Sequence, residues 1–239
     1  MRFRSMQIRQ TVLLCVWLSL SAGCSDKRLV NSIKSGDAQL SDKLLAEGVD
    51  VNARGTGGET SLHAAIKAGN KDIYTKLLTK GADPNICDAQ GTSAVHLAAE
   101  QSDVFWLHEA LQHGGNPNQP NTGNRHSPNS TPIYYAIDAR QSRNVVELID
   151  AGADVNHSSQ YGRRPLRVAM GNGLYDAMIK LIEAGADPRL GQFDDSILNG
   201  SWFDDGRENQ IDSEDKKRSY RALKALLVEK GYLPETKQK

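Results

Sequence analysis

"LLTKGADPNI", residues 77–86, runs two leucines into a glycine and then into a string of turn-forming residues. The phrase returns as "LLAEGVDVNA" at 44–53, "ALQHGGNPNQ" at 110–119, "LIDAGADVNH" at 148–157 and "LIEAGADPRL" at 181–190. Its glycines, Gly48, Gly81, Gly114, Gly152 and Gly185, are separated by 33, 33, 38 and 33 residues. A fixed period of this size marks a chain built from stacked units, none of which buries its apolar face alone.

The physical chemistry of the phrase explains its order. An apolar helix turn such as Leu77-Leu78 ends where the backbone enters the left-handed region, and glycine enters it without a Cβ penalty. Asp83, Pro84 and Asn85 then favour turn geometry and send the chain into a hairpin loop. A second phrase keeps step with the first: "GETSLHAAI" at 58–66, "GTSAVHLAA" at 91–99, "STPIYYAI" at 130–137 and "GRRPLRVAM" at 162–170. There Ala65, Ala98, Ala136 and Ala169 allow close approach of neighbouring units, while Leu62, Val95, Ile133 and Leu166 are expected to fill the shared core.

Together the two phrases resemble the ankyrin repeat, whose period is 33 residues and whose signature is T-P-L-H-x-A. The resemblance covers residues 26 to about 188. It implies an all-α ankyrin-repeat solenoid of helix-turn-helix units with finger loops, about five to six repeats including degenerate caps. Residues 24–188 form the array, and residues 189–239 a degenerate C-terminal capping repeat. In that last region residues 189–216 are acidic and hold Phe193, Trp202 and Phe203, followed by a helix expected from about Lys217 to Lys230. The alternative use of this irregular segment is a partner-binding flap.

The N-terminus has a different logic. Arg2, Arg4 and Arg9 precede an apolar run from Thr11 to Leu20 broken only by Ser19, and small residues follow at Ser21, Ala22 and Gly23. This is the layout of an export signal, and residues 1–23 are read as a lipoprotein signal peptide. A run of about ten residues spans roughly half a bilayer core as a helix, too short for a transmembrane segment. Leu20 to Cys24 resemble the bacterial lipobox, although Ser21 stands where leucine is commonest. That resemblance implies a chain cut before Cys24, with fatty acid, palmitate among the acyl groups, on this residue. The resulting lipoprotein would be anchored in the periplasm. Ser25, not aspartate, follows the cysteine, which favours the outer membrane over the alternative, the inner membrane.

The chain has 29 basic and 29 acidic residues, and the signal takes three arginines and no acid, so the mature protein carries a net charge of −3. That argues against nucleic-acid binding, which depends on Lys and Arg neutralising phosphates. With Cys15 lost and Cys24 acylated, Cys87 stands alone, so no disulfide framework and no cysteine metal site is expected. His63 and His96 occupy the histidine place of the repeat signature, where a structural hydrogen bond is the expected role. The other histidines lack the spacing of a zinc pair. No G-x-S-x-G elbow and no phosphate-binding glycine loop is present. The sequence therefore points to a protein-binding module without enzymatic activity, cofactor or metal.

Candidate partner contacts are the departures from the repeat. The 38-residue interval adds five residues in "QPNTGNRHSPNS" at 119–130, where Arg125 and His126 lie. Tyr161 and Arg163 sit in the next finger, Phe105 and Trp106 are adjacent aromatics on a helix, and Tyr135 follows the histidine place of its repeat. Tyrosine, tryptophan and arginine are enriched in interface hot spots. Core packing is the expected role of Trp106. The lipobox and the repeats together resemble the bacterial ankyrin-repeat immunity lipoproteins directed against phospholipase effectors of type VI secretion. That resemblance implies a partner of the lipase-toxin class, met in the periplasm. The alternatives are a periplasmic ankyrin scaffold linked to oxidative-stress protection and, remotely, an envelope hydrolase.

Cys24→Ser should abolish incorporation of a labelled fatty acid, because the thiol is the acyl acceptor; labelling that survives the substitution refutes the lipobox reading.

Overall fold

The computed structural model describes residues 27–123, 128–191, 203 and 207–233. The export-signal residues, Cys24, Arg125, His126, Phe193 and Trp202 lie outside them. The chain divides into two compact units, Met1–Ala94 and Val95–Lys239. Among the described residues no helix is long and apolar enough to cross a membrane.

The first unit contains α1 (27–35), α2 (Ala38–Glu47), a 3-10 turn (Thr56–Gly58), α3 (Ser61–Ala68) and α4 (Lys71–Thr79). α5 (Ala94–Glu100) begins on its last residue. The second unit continues with α6 (Phe105–Gln112), α7 (Pro132–Asp138), α8 (Ser142–Asp150), α9 (Pro165–Gly171) and α10 (Tyr175–Glu183). It closes with a 3-10 turn (Pro188–Gly191), α11 (Arg207–Gln210) and α12 (Glu214–Glu229). Helices pack in sequential pairs, α3 on α4, α7 on α8 and α9 on α10, and α12 packs on α10.

These helices are short because their sequences stop them. At Gly81 φ is +83°, and the next amide, Ala82 N, donates back to Leu77 O at 3.0 Å, the six-residue bond of a left-handed helix cap. The same stop recurs at Gly231, where Tyr232 N donates to Leu227 O at 2.8 Å. The end of α12 therefore repeats the helix stop of the array. α12 starts three residues earlier than expected from the sequence, because the Ser213 side chain caps it by accepting from Lys216 N.

The core follows the periodic pattern. Leu62, Val95, Ile133 and Leu166 are at most 2% exposed, and Ala65, Ala98, Ala136 and Ala169 are fully buried. Burying such side chains stabilises by roughly 1.5–3 kcal/mol each relative to leaving them in water.

Two hydrogen-bond ladders join successive repeats. In the first, an asparagine that follows a helix stop reaches into the next repeat, at Asn52, Asn118 and Asn156. Asn52 Nδ2 donates to Gly81 O at 3.4 Å while its Oδ1 accepts from Asp83 N at 2.7 Å. Asn118 does the same with Gly152 O and Asp154 N, and Asn156 with Gly185 O and Asp187 N. In the second ladder His63 Nε2 lies 2.8 Å from Thr92 O, His96 Nε2 3.3 Å from Ser130 O, and the Tyr134 hydroxyl 2.7 Å from Arg163 O. The histidines of the signature are thus structural donors, and Tyr134 performs the same task in the repeat that lacks one.

Glu59 ties the first repeats together by pairing with both Lys34 and Lys67. Burial pushes its carboxyl up, but hydrogen bonds and charge from the two lysines outweigh this and hold it below the ordinary value.

Gly81→Val should destabilise the protein by about 1 kcal/mol or more, because a β-branched residue would have to take positive φ at a helix stop. Open space surrounds the position a Cβ would occupy, so the loss is one of backbone conformation. Thermal melting checks it. A second outcome concerns pH: burial holds His63 below its ordinary value of 6.5, against the pull of the Thr92 carbonyl. Its neutral form therefore contributes fully above about pH 6.5, and that contribution is lost as pH falls toward the folded value. The melting temperature should drop between pH 7.5 and 5, and His63→Gln should shrink the drop. The Glu59 contribution falls in a lower window, below its ordinary value of 4.5.

Candidate partner-binding surface

The fingers are built from a common closure. Gly55 N donates to Glu59 O at 2.7 Å, Asp88 N to Thr92 O at 2.9 Å, Asn121 N to Ser130 O at 2.8 Å and Ser159 N to Arg163 O at 3.0 Å. Three of these loops enclose three residues at the tip, and the third encloses eight, so the five extra residues of the long interval all lie inside the bridge between Asn121 and Ser130. The closing residue carries part of the load. Asp88 Oδ1 accepts from Gln90 N and Thr92 N, and in the long finger Asn121 Oδ1 accepts from Ser130 N.

The finger at 159–163 is held from three sides. Gln160 N donates to Pro128 O at 3.0 Å, and Asn129 Nδ2 donates to Ser158 O at 3.2 Å. Tyr134 places its hydroxyl 2.7 Å from the carbonyl oxygens of both His157 and Arg163. Burial pushes its phenol well above the ordinary value, so it remains a proton donor. Arg164 braces the far side, donating to the carbonyls of Asn156 and Leu190.

At this tip Tyr161 is 70% exposed and Arg163 is exposed beside it. Among the described residues the exposed large hydrophobic side chains are Tyr161 and, at 48%, Leu190. A tyrosine on a hydrogen-bonded loop costs little entropy to immobilise, which suits it to an interface.

Other candidate contacts lie inside or at the edge of the core. Tyr135 is fully buried, accepts from Asn121 Nδ2 at 3.0 Å and packs on His96 with ring centroids 4.7 Å apart. It supports the long finger from inside, because its ring has no exposed surface and its hydroxyl is bonded to Asn121. Trp106 is 5% exposed and packs edge-on against the half-buried Phe105, with centroids 5.7 Å apart. Phe105, one residue earlier, lies closer to the surface. Arg125 and His126 fall outside the described residues. The structure thus brings Tyr161 and Arg163 together at one finger tip and assigns Trp106 and Tyr135 to the core.

Buried asparagines were overlooked as organisers. Asn144, 1% exposed, donates to Ala99 O at 2.9 Å and Gln101 O at 2.7 Å, satisfying carbonyls at the end of α5. Its signal in the sequence was an amide residue near the start of a second helix, where a surface polar residue is the ordinary expectation.

The exposed His108 and His113 place Nδ1 2.7 Å from Glu147 and 2.9 Å from Glu109 O, and the half-buried His157 places Nε2 2.7 Å from Asn129 O. Among the described residues no group of three or more His, Cys, Asp or Glu is placed to hold a metal ion. A shallow groove of about 360 Å³ between α8 and α10 has Val146 and Ile179 on its floor and Arg143, Asp176 and Lys180 around it.

Against known proteins, no curated sequence matches the chain. Residues 29–121 match a family model described as ankyrin repeats, three copies. The helix stops and both ladders continue past residue 121. The described residues thus have the all-α packing of an ankyrin-repeat solenoid, and ankyrin repeats suggest a protein-binding module.

Proposed function

We propose that the chain is a lipid-anchored immunity protein that binds a toxic phospholipase in the periplasm and blocks it without chemistry of its own. The observation that carries the binding reading is Tyr161, held out into solvent on a finger whose backbone is hydrogen-bonded on three sides. An aromatic ring beside an exposed arginine provides apolar area and a charge-assisted donor at one point, the composition of an interface hot spot. The envelope location is supported by the basic, apolar and small-residue order of residues 2–24, with Cys24 as the acyl acceptor and the outer membrane as destination. The phospholipase is chosen on the resemblance of lipobox plus repeats to immunity lipoproteins. Blocking requires only that the array cover the entrance of the enzyme.

The proposal expects a phospholipase toxin gene beside this one, and the test uses that enzyme. Purified mature protein should suppress its hydrolysis of phospholipid vesicles at a one-to-one ratio, and Tyr161→Ala should weaken the complex by about tenfold or more. Undiminished hydrolysis in the presence of excess protein overturns the immunity reading. A neighbouring catalase gene in place of a lipase would point to the oxidative-stress scaffold.

A further inference from the structure

Very little chain separates Cys24 from the folded array. α1 is helical from residue 27, and Leu29, Val30 and Ile33 are at most 3% exposed, so this helix is part of the core. Ser32 Oγ lies 2.9 Å from Ser41 Oγ. Ser32 stands three residues before the end of α1 and Ser41 three after the start of α2, so the two helices run antiparallel, with Gly36 and Asp37 as the turn at one end. The first finger lies at the other end. A Cβ on Gly55 would come within 2.7 Å of Val30 Cγ1, placing that finger against the first turn of α1. Lys34, whose stem leans back toward the start of its helix, pairs with Glu59 at the base of the same finger.

We propose that the first finger, residues 55–59, and the start of α1 rest against the phospholipid headgroups, so that the first unit meets the bilayer finger-first. The inference rests on acylation of Cys24. From Cys24 to Lys27 the chain spans at most about 10 Å, which keeps the finger end at the headgroup layer. The turn at Gly36–Asp37 is a further ~13 Å away along α1. Charge at this end is balanced, Lys27, Arg28 and Arg54 against Asp26, Glu47 and Asp50, so the short tether and not a net charge sets the placement. The consequence is orientation: a short tether fixed to a core helix sets which end of the first unit faces the membrane, whereas a flexible linker would leave every face equally available.

The experiment uses the full-length protein purified from its native membrane with Cys87 replaced by Ala, reconstituted into vesicles that contain a nitroxide-headgroup phospholipid. A fluorophore is placed on Thr56→Cys or on Ala38→Cys, both exposed sites at opposite ends of the first unit. Given the ~13 Å separation, the probe at 56 should be quenched about twofold more strongly than the probe at 38. A Gly/Ser linker of about thirty residues inserted after Asp26 should erase the difference. Equal quenching at both sites, or a difference that survives the linker, overturns the orientation while leaving the anchor in place. Intact mass separates the two readings: an unmodified Cys24 overturns the anchor, and the orientation with it, without bearing on whether the fingers bind a toxin.

Discussion

The register of the array depends on a side-chain amide placed after three of its helix stops. When a helix ends at glycine its last carbonyls lose their partners, and so do the amides of the turn that follows. Asn52, Asn118 and Asn156 meet both needs of the next repeat at once, donating to the glycine carbonyl and accepting from the amide two residues on. Each of these asparagines is itself held by an Asx turn, its own amide bonded to Asp50, Asn116 or Asp154. One repeat therefore completes the backbone of its neighbour, and neither is fully satisfied alone. The apolar core supplies most of the free energy, but the amide ladder fixes the register in which cores meet.

The histidine ladder runs parallel to it and shows how much substitution the geometry tolerates. What the position requires is a donor that reaches the carbonyl closing the next finger. His63 and His96 provide a ring nitrogen, and Tyr134 provides a hydroxyl on a longer ring. Because the acceptor is always a backbone oxygen, the identity of the neighbouring side chain does not matter, and fingers vary freely in length and sequence. The five extra residues between Asn121 and Ser130 leave the ladder intact, since Ser130 still presents its carbonyl to His96. This separates the scaffold from the surface that it displays.

How much of this was legible beforehand follows from what a period can encode. Recurrence of Gly81 and its equivalents located the helix stops, and recurrence of Leu62 and Ala65 located the core, because each needs one residue type at one place. The asparagines recurred just as regularly, yet they read as turn formers, since their reach of about thirty residues leaves no trace in local sequence. Tyr135 failed for a related reason. Helical spacing says which residues share a face, but only the buried Asn121 amide and the His96 ring show that its face is inward. The exposure of Tyr161 was legible because a finger tip has no inward side to choose.

The end of the ladder shows the same constraint from the other direction. In the phrase "GADPRL", Arg189 stands where the earlier repeats have asparagine. Its amide still bonds to Asp187 Oδ1 at 2.9 Å, so the Asx turn survives the change. The bridging amide is gone, and the guanidinium lies over the Tyr232 ring, 5.0 Å from its centroid, just beyond the helix stop at Gly231. A cation on an aromatic face holds two elements together without requiring matched backbone partners. That is what the last repeat needs, because α12 packs on α10 as a longer helix rather than as another copy of the pair. A second aromatic contact holds α12, with Phe203 and Tyr175 packed on Tyr220 at centroid distances of 5.2 and 5.3 Å. The array is therefore terminated by exchanging a periodic contact, which would demand a further repeat, for an aromatic one that demands none.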